Sequence, residues 1–289
     1  TGPVTAADDG SRLDLQGYRV ILDGHLTADR LDITTATGIG TPASPLQTTV
    51  GQMALTSQGS GGIHVVNVGN LTLAAASSNG DIDIRTISGT DASAGLGGTA
   101  GTLTIGSVGA LTGVTAGGAA KVSLVAGQAV NGTASNLGGD IVLDATVASA
   151  GSGDAIGLAG HRLINNAGAT ALLADQGRWL IWSGDPAQDR LGGLRPDFKQ
   201  YNAIFGSGAA AQAAGNGLLY TLAPVLVPSL TGSVVKVYDG DASAGLTAAN
   251  LAVSGAGEGD IVVLRANGQY DTRNAGSAKT VTATDIGIA

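Results

Sequence analysis

The sequence predicts an all-β fold in which a long parallel β-helix, a solenoid of stacked strands, precedes a small and separate β unit. Short segments alternate apolar with small polar residues, glycine is frequent (48 of 289 residues) and aromatic residues make up only 3% of the chain. A β-helix suits this composition because rungs about 4.8 Å apart fill its interior with aligned aliphatic side chains. A Greek-key sandwich array remains the alternative, although its core usually needs larger side chains to fill ~10 Å between sheets.

Period-two alternation predicts the strands of the β-helix between about residues 18 and 173. Alternation of this kind marks a strand with one buried face, and no window shows a convincing helical stripe. Openings such as Gly-Asp-Ile and Gly-Gly-Ile recur before the strands and are typical of rung corners. The clearest predicted strands are residues 18–22, 62–68, 70–74, 80–85, 101–105, 121–125 and 139–143.

Six of the nine aromatic residues fall between positions 178 and 220, and we interpret residues 178–223 as a segment that closes the β-helix. A solenoid end exposes unpaired backbone and an open core, so it requires an atypical capping segment. The alternative is an aromatic platform for sugar rings formed by Trp179, Trp182 and Tyr201. Residues 1–223 would then comprise the β-helix and its closing segment.

A proline-containing linker, residues 224–228, separates the β-helix from the final unit. Two prolines within five residues disfavour a strand ladder and indicate a semi-rigid connection. Residues 229–289 then form a short β unit of their own. Its predicted strands include residues 234–238, 260–264 and 279–283.

Charge and composition exclude several functions. The net charge of −8 argues against nucleic acid and against an anionic membrane surface, because both are bound mainly through Lys and Arg. The chain has no cysteine, which excludes disulfides and cysteine metal sites and suits a protein that crosses an oxidising compartment. No apolar run is long enough to insert into a membrane, and no signal peptide is visible. We therefore expect an excised fragment of an exported protein.

One strand carries the residues that most resemble a catalytic pair. Asp81, Asp83 and Arg85 alternate on the same strand face, which places the two carboxylates roughly 7 Å apart, within the range of inverting glycosidases. A working pair needs one carboxyl that stays protonated. Two exposed aspartates beside an arginine would both ionise, so we interpret them as the solvated outer face of a rung.

No other group of residues has the spacing of a metal or cofactor site. The three histidines are far apart and lack a His-x-His or His-Glu spacing. Of two Asp-Gly segments, the first lacks the further ligands of a calcium loop, and turn chemistry explains both. The glycines at 95–98 are too loosely spaced for a phosphate loop. We predict no catalytic residue, no metal and no cofactor. The residues considered are His25, His64, His161, Asp8, Asp9 and Gly10, and Asp239, Gly240 and Asp241.

Five stretches carry a family likeness. Residues 40–48, 62–65 and 69–73 resemble the rung sequences of filamentous-haemagglutinin-like exoproteins, the large adhesins exported by two-partner (type V) secretion. Residues 177–186 are similar to the segment that closes the helix in those proteins. Lys236-Val237-Tyr238-Asp239-Gly240 resembles the signature of the small YDG-type repeat of their stalks, which we take as a structural signature at Tyr238, Asp239 and Gly240.

The resemblance implies a right-handed parallel β-helix of some eight rungs, roughly 40 Å long, followed by a β-rich YDG-like stalk module. Tyr238 would pack inside that module, and Asp239-Gly240 would turn the chain. The implied function is attachment or biofilm aggregation at the outer surface of a bacterium. The expected partners are exopolysaccharide, a host-surface glycan or protein, and an outer-membrane secretion partner during export. A haem- or iron-scavenging exoprotein and a carbohydrate-active β-helix enzyme remain the alternatives.

Overall fold

The computed structural model describes residues 4–5, 10–21, 24–88, 100–129 and 137–288. The chain divides into two compact units, Thr1–Ala223 and Pro224–Ala289. Among the described residues, the regular elements are strands apart from one short 3₁₀ turn at Ala248–Asn250. The all-β prediction is therefore confirmed.

The first unit contains eighteen strands within its described part. They are β1 Val4–Thr5, β2 Arg12–Val20, β3 His25–Ile39, β4 Leu46–Ser57, β5 Ile63–Val68, β6 Leu71–Ser77, β7 Ile82–Ser88, β8 Leu103–Ile105, β9 Ser107–Val108, β10 Leu111–Thr112, β11 Val114–Ala116, β12 Val122–Ala129, β13 Ile141–Leu143, β14 Val147–Ala159, β15 Leu163–Asn165, β16 Leu172–Ser183, β17 Phe198–Tyr201 and β18 Gly217–Tyr220.

Sixteen of these described strands form one parallel sheet, which wraps around the core as a β-helix. Its main hydrogen-bonded order is β15-β13-β8-β6-β4-β3-β5-β7-β12-β14-β16-β18-β17. Long strands belong to two ladders: β14 pairs with β11 through Val147, and with β12 through Ile156. A strand whose two halves pair with different neighbours turns a corner between two faces. The predicted parallel β-helix is confirmed.

Aligned aliphatic side chains fill the interior, as the composition predicts. Ile84 pairs with Leu124, Leu124 with Leu158, Leu158 with Ile181, and Ile181 with Leu218 along successive rungs. All five side chains are at most 1% exposed. Parallel pairing without a register shift at these positions places like side chains directly above one another, so each rung covers the apolar surface of the previous one.

The closing segment departs from simple sequential stacking. Strand β18 lies between β16 and β17, and both of its ladders are parallel. The chain therefore forms the outermost strand of the path first and then returns to fill the position beside β16. This arrangement covers both sides of β18: Leu218 faces the main core, while Leu219 packs in a second small cluster with Leu180 and Ala203.

The second unit is built from short antiparallel pairs. β19 pairs with β21, and β22 pairs with both β20 and β23. Ala244 is its only buried hydrophobic residue among those described. Its elements are β19 Val227–Leu230, β20 Ser243–Ala244, the 3₁₀ turn Ala248–Asn250, β21 Leu251–Ser254, β22 Leu264–Tyr270 and β23 Val281–Ile288.

Two of the strands predicted for this unit are wrong. Residues 234–238 form no strand, and of residues 260–264 only Leu264 belongs to one, β22. Both segments alternate apolar and polar residues, but neither has a ladder partner in the described part of the unit. Val235 and Ile261 are accordingly about 90% exposed (89% and 92%). Alternation predicts an extended segment, whereas a strand also needs a neighbour.

Candidate functional site

The two tryptophans of the proposed sugar platform lie on opposite faces of β16. Trp179 is 4% exposed and belongs to the main core with Ile181, whereas Trp182 packs in the outer cluster with Leu180. Three positions along a strand reverse the side-chain direction. The two indoles therefore do not form one surface. The prediction that Trp179 contributes to a sugar platform is corrected, because its ring is buried in the core.

Trp182 borders a cavity of about 490 Å³ beside the closing segment. Its ring meets Phe205 edge-on, with the ring centroids 5.4 Å apart. His161 and Leu222 also border this cavity. Trp182 is partly buried, and its ring already packs against Phe205 and the outer cluster.

Tyr201 packs as part of the end of the β-helix. Its ring stacks on that of Tyr220, with centroids 5.7 Å apart and an interplanar angle of 18°. The two residues are register partners on β17 and β18, and Tyr220 is 1% exposed. Tyr201 thus covers a buried ring at the outermost strand of the path.

A buried carboxyl ties this segment to the preceding rung. Asp189 is 7% exposed, and its Oδ1 accepts hydrogen bonds from the Leu163 backbone N–H (2.8 Å) and the Ser183 hydroxyl (2.7 Å). Within the described residues, its Oδ2 has no hydrogen-bond partner. Burial raises the pKa of Asp189 to about 6, although the bonds from Leu163, Ser183 and Tyr220 oppose the shift.

The acidic residues of β7 lie on the outer face of their rung. Asp83 is half-buried and forms an ion pair with Arg85 at 3.0 Å. Ile82 and Ile84, the neighbours of Asp83 along the strand, are buried in the core. Asp81 is exposed and accepts a hydrogen bond from the Lys121 backbone N–H. These partners fit the interpretation of a solvated, ion-paired rung face.

The histidines are separate from one another. His64 is buried next to the β7 acids, and burial lowers its pKa. His25 shares a hydrogen bond with the Thr49 hydroxyl, and His161 is exposed. Among the described residues, no three His, Asp or Glu side chains are close enough to hold a metal ion. Asp8, Asp9 and the glycines at 95–98 lie outside those residues.

The Tyr238-Asp239-Gly240 signature forms a fixed turn. Gly240 has a φ of +84°, in the left-handed region that favours glycine, and Asp239 Oδ1 accepts the Asp241 backbone N–H at 3.1 Å. The Lys236 ammonium bridges Asp239 (2.8 Å) and Asp241 (2.6 Å), which holds the pKa of both carboxyls below its ordinary value. The expectation that Asp239 and Gly240 turn the chain agrees with this geometry.

Tyr238 itself is exposed, which corrects the expectation that it packs inside its unit. Its side chain is 65% exposed. The turn at Asp239 and Gly240 directs the ring outward, and the unit has no described apolar core large enough to receive it. Tyr238 instead lines a groove of about 740 Å³ within this unit.

The groove runs between two segments of the second unit. One wall is formed by residues 230–236 and the other by residues 272–281. Besides Tyr238, its lining includes the side chains of Asp241 and Arg273. It therefore combines an aromatic face with charged groups of both signs.

These residues fall within a match to a known family. Residues 221–289 are a YDG domain. The groove thus belongs to the YDG domain. Tyr238, Asp239 and Gly240 also lie within the matched residues. No curated protein and no solved structure matches the chain. In the part of the chain that the structure describes, no helix is long and apolar enough to cross a membrane.

Sequence reasoning found the signature of the YDG domain but missed its groove. Arg273 follows β22 in a loop of small polar residues that resembles any other turn. The groove forms because this loop faces residues 230–236, which lie some forty positions earlier in the chain. The one signal available was Tyr238, an aromatic residue directly before a turn.

Proposed function

We propose that this chain is part of a secreted bacterial surface adhesin of the filamentous-haemagglutinin-like, two-partner-secreted class. It mediates attachment between cells, or between a cell and a surface, and contributes to biofilm aggregation. Binding is to carbohydrate, either exopolysaccharide or host-surface glycan. An outer-membrane partner exports the chain, and it acts at the outer cell surface without chemistry of its own.

The observation that carries the proposal is the combination of a uniform β-helix and a YDG domain in one chain. The aliphatic stack that includes Leu124 repeats from rung to rung, with Leu158 and Ile181 at the same register in the following rungs. A solenoid of this kind is a stiff scaffold in which each repeat is supported by its neighbours. Multiple weak contacts presented on such scaffolds add up through avidity.

The outer face of β7 favours this function over a carbohydrate-active enzyme. The Arg85 guanidinium forms an ion pair with Asp83 at 3.0 Å on this outer face, so the Asp83 carboxylate already has a partner within its own strand. The acids of this rung therefore serve as surface groups. The proposal assigns recognition to exposed side chains outside this rung.

Binding of the whole 289-residue chain to a glycan array and to purified exopolysaccharides tests the proposal. We expect retention of at least one glycan, unchanged polymer length after prolonged incubation, and no change in the absorption spectrum of added haem. Trp182→Ala should retain most of the glycan binding, because that ring is partly buried and packs against Phe205. Tyr18→Ala, which alters a tyrosine that is 77% exposed in the first unit, is the matched control.

Three results would overturn the proposal. Absence of binding to every glycan and exopolysaccharide would remove the adhesive function through carbohydrate. Shortening of a bound polysaccharide would identify an enzyme, and stoichiometric capture of haem would identify a scavenger.

A further inference from the structure

The groove of the YDG domain is a preorganised surface, although few of its residues are in strands. The Asn250 amide donates to the backbone carbonyls of Thr231 and Ser233, both at 3.4 Å. The Tyr270 hydroxyl donates to the carbonyl of Val234 at 2.9 Å. Side-chain donors therefore fix the first wall in place of a strand ladder, so a ligand would meet a wall that is already ordered.

The second wall is closed at its base. The Asp271 backbone N–H donates to the carbonyl of Thr280 at 2.9 Å, and the Lys279 ammonium pairs with Asp271 at 3.0 Å. Lys279 also donates to the hydroxyl of Thr272. These contacts join the two ends of the loop that connects β22 and β23. Arg273 lies within this loop and lines the groove.

One cation of the groove has no ion-pair partner. Lys236 pairs with Asp239 and Asp241, and Lys279 pairs with Asp271. Arg273 makes no hydrogen bond or ion pair with any described residue, and it is exposed. An unpaired guanidinium thus lines the groove.

We propose that this groove binds an acidic saccharide, with the face of a hexuronic acid ring on Tyr238 and its carboxylate on Arg273. The inference rests on the proposed function and names the site and the ligand class. A guanidinium matches a carboxylate through two parallel N–H···O hydrogen bonds. A tyrosine ring offers an apolar face to the C–H face of a sugar while its hydroxyl stays in water. Neither group has to break an existing contact in the YDG domain to do so.

Calorimetric titration of the whole chain with a galacturonic acid tetramer and with a neutral galactose tetramer tests the site. We expect the acidic tetramer to bind about tenfold more tightly, because its carboxylate forms charge-assisted hydrogen bonds with the Arg273 guanidinium. Arg273→Gln should remove this preference and leave the affinity for the neutral tetramer unchanged. Tyr238→Ala should weaken both by about tenfold, and Tyr238→Phe should retain the binding of both.

Two matched controls separate the groove from general effects. Arg265→Gln removes an exposed cation of the same YDG domain outside the groove, and Tyr18→Ala removes an exposed tyrosine outside it. Neither should change the affinity. Circular dichroism and thermal unfolding of Arg273→Gln and Tyr238→Ala should match those of the wild-type chain, because both side chains are exposed.

The outcomes distinguish this inference from the broader function. Acid-selective binding that persists in Arg273→Gln, or binding unaffected by Tyr238→Ala, would overturn the groove and leave the adhesive function standing. The same holds if the chain binds other glycans but not the acidic tetramer. Failure to bind any glycan would overturn both.

Discussion

The two units of the chain keep their apolar side chains in different places. In the β-helix, the stack through Leu124 and Leu158 is closed to water, and it belongs to one core cluster that extends from Leu26 to Tyr220 among the described residues. In the YDG domain, Val235, Val237 and Ile261 are each about 90% exposed (89%, 90% and 92%), and Ala244 is the only buried hydrophobic among its described residues. The composition of apolar residues alone does not reveal this contrast.

The difference shows that each unit is stabilised internally by its own kind of interaction. Burial of aligned aliphatic side chains stabilises the β-helix, at roughly 25 cal/mol per Å² of apolar surface. The YDG domain depends on side-chain bonds that fix irregular segments, such as those of Asn250 and Tyr270, and on the Lys236 bridges. Rigid packing suits a scaffold, whereas an exposed but tethered surface suits recognition.

The largest expected effect tests how strongly the aliphatic core stabilises the β-helix. Leu124→Ala should destabilise the β-helix by about 2–5 kcal/mol, because it leaves a cavity between Ile84 and Leu158. Ser123→Ala, on the exposed side of the same strand, should change stability by less than about 0.5 kcal/mol. Both tryptophans lie in the first unit, so their fluorescence during denaturant unfolding reports on it alone.

The matched change in the YDG domain is Val237→Ala. Since Val237 is 90% exposed, this change should cost less than about 0.5 kcal/mol, measured by hydrogen exchange of β22. A cost as large as that of Leu124→Ala would break the comparison, because it would mean that Val237 is buried in solution.

The next effect concerns pH and the buried carboxyl of the closing segment. Burial raises the folded-state pKa of Asp189 from 3.8 to about 6. Its favourable contribution is therefore complete below pH ~4 and is lost as the pH rises through about 6, because only the unfolded state ionises readily in that interval. The loss should amount to about 2–3 kcal/mol, at ~1.4 kcal/mol per pKa unit.

Asp189→Asn should abolish this pH dependence of tryptophan-monitored unfolding between pH 4 and 7. The amide oxygen retains the acceptor for Leu163 and Ser183 but cannot ionise. Asp175→Asn, an exposed change on β16, is the control and should leave the pH dependence intact. An unaltered slope in Asp189→Asn would assign the titration to another group.

The smallest effect sharpens the account of the YDG domain. Tyr270→Phe removes the hydrogen bond to the Val234 carbonyl and should cost about 0.5–1.5 kcal/mol. Faster amide exchange in residues 231–238 should accompany the loss. Tyr238→Phe, which alters an exposed hydroxyl nearby, should leave that exchange unchanged; equal exchange in both variants would contradict a tethering role for Tyr270.

Much of the β-helix was predictable because its signal is local. The strands predicted at 62–68, 70–74, 80–85 and 121–125 all overlap strands of the structure, since alternation reports directly on one buried face. The strands predicted at 234–238 and 260–264 failed for the complementary reason. Their alternation is real, but the YDG domain supplies them with side-chain anchors instead of neighbouring strands.

The candidate site, too, was predictable from the sequence only in part. The Tyr238 signature and its turn were visible in the sequence, because Asp-Gly turns are a local property. The groove was not, because Arg273 and Tyr238 line one groove only after residues 230–238 and the β22–β23 loop have been fixed by contacts distant in sequence. The burial of Trp179 also required the structure, since composition shows where aromatic residues cluster but not which face they occupy.

The sequence by itself determined an all-β chain, a thin aliphatic core and the YDG signature. These properties follow from composition and from period-two patterns that act over a few residues. Only the tertiary structure decided that β18 inserts between β16 and β17 and that Tyr238 faces a groove. The physical reason is that strand order and surface shape depend on which distant segments fill the remaining space, and a local pattern carries no information about a distant partner.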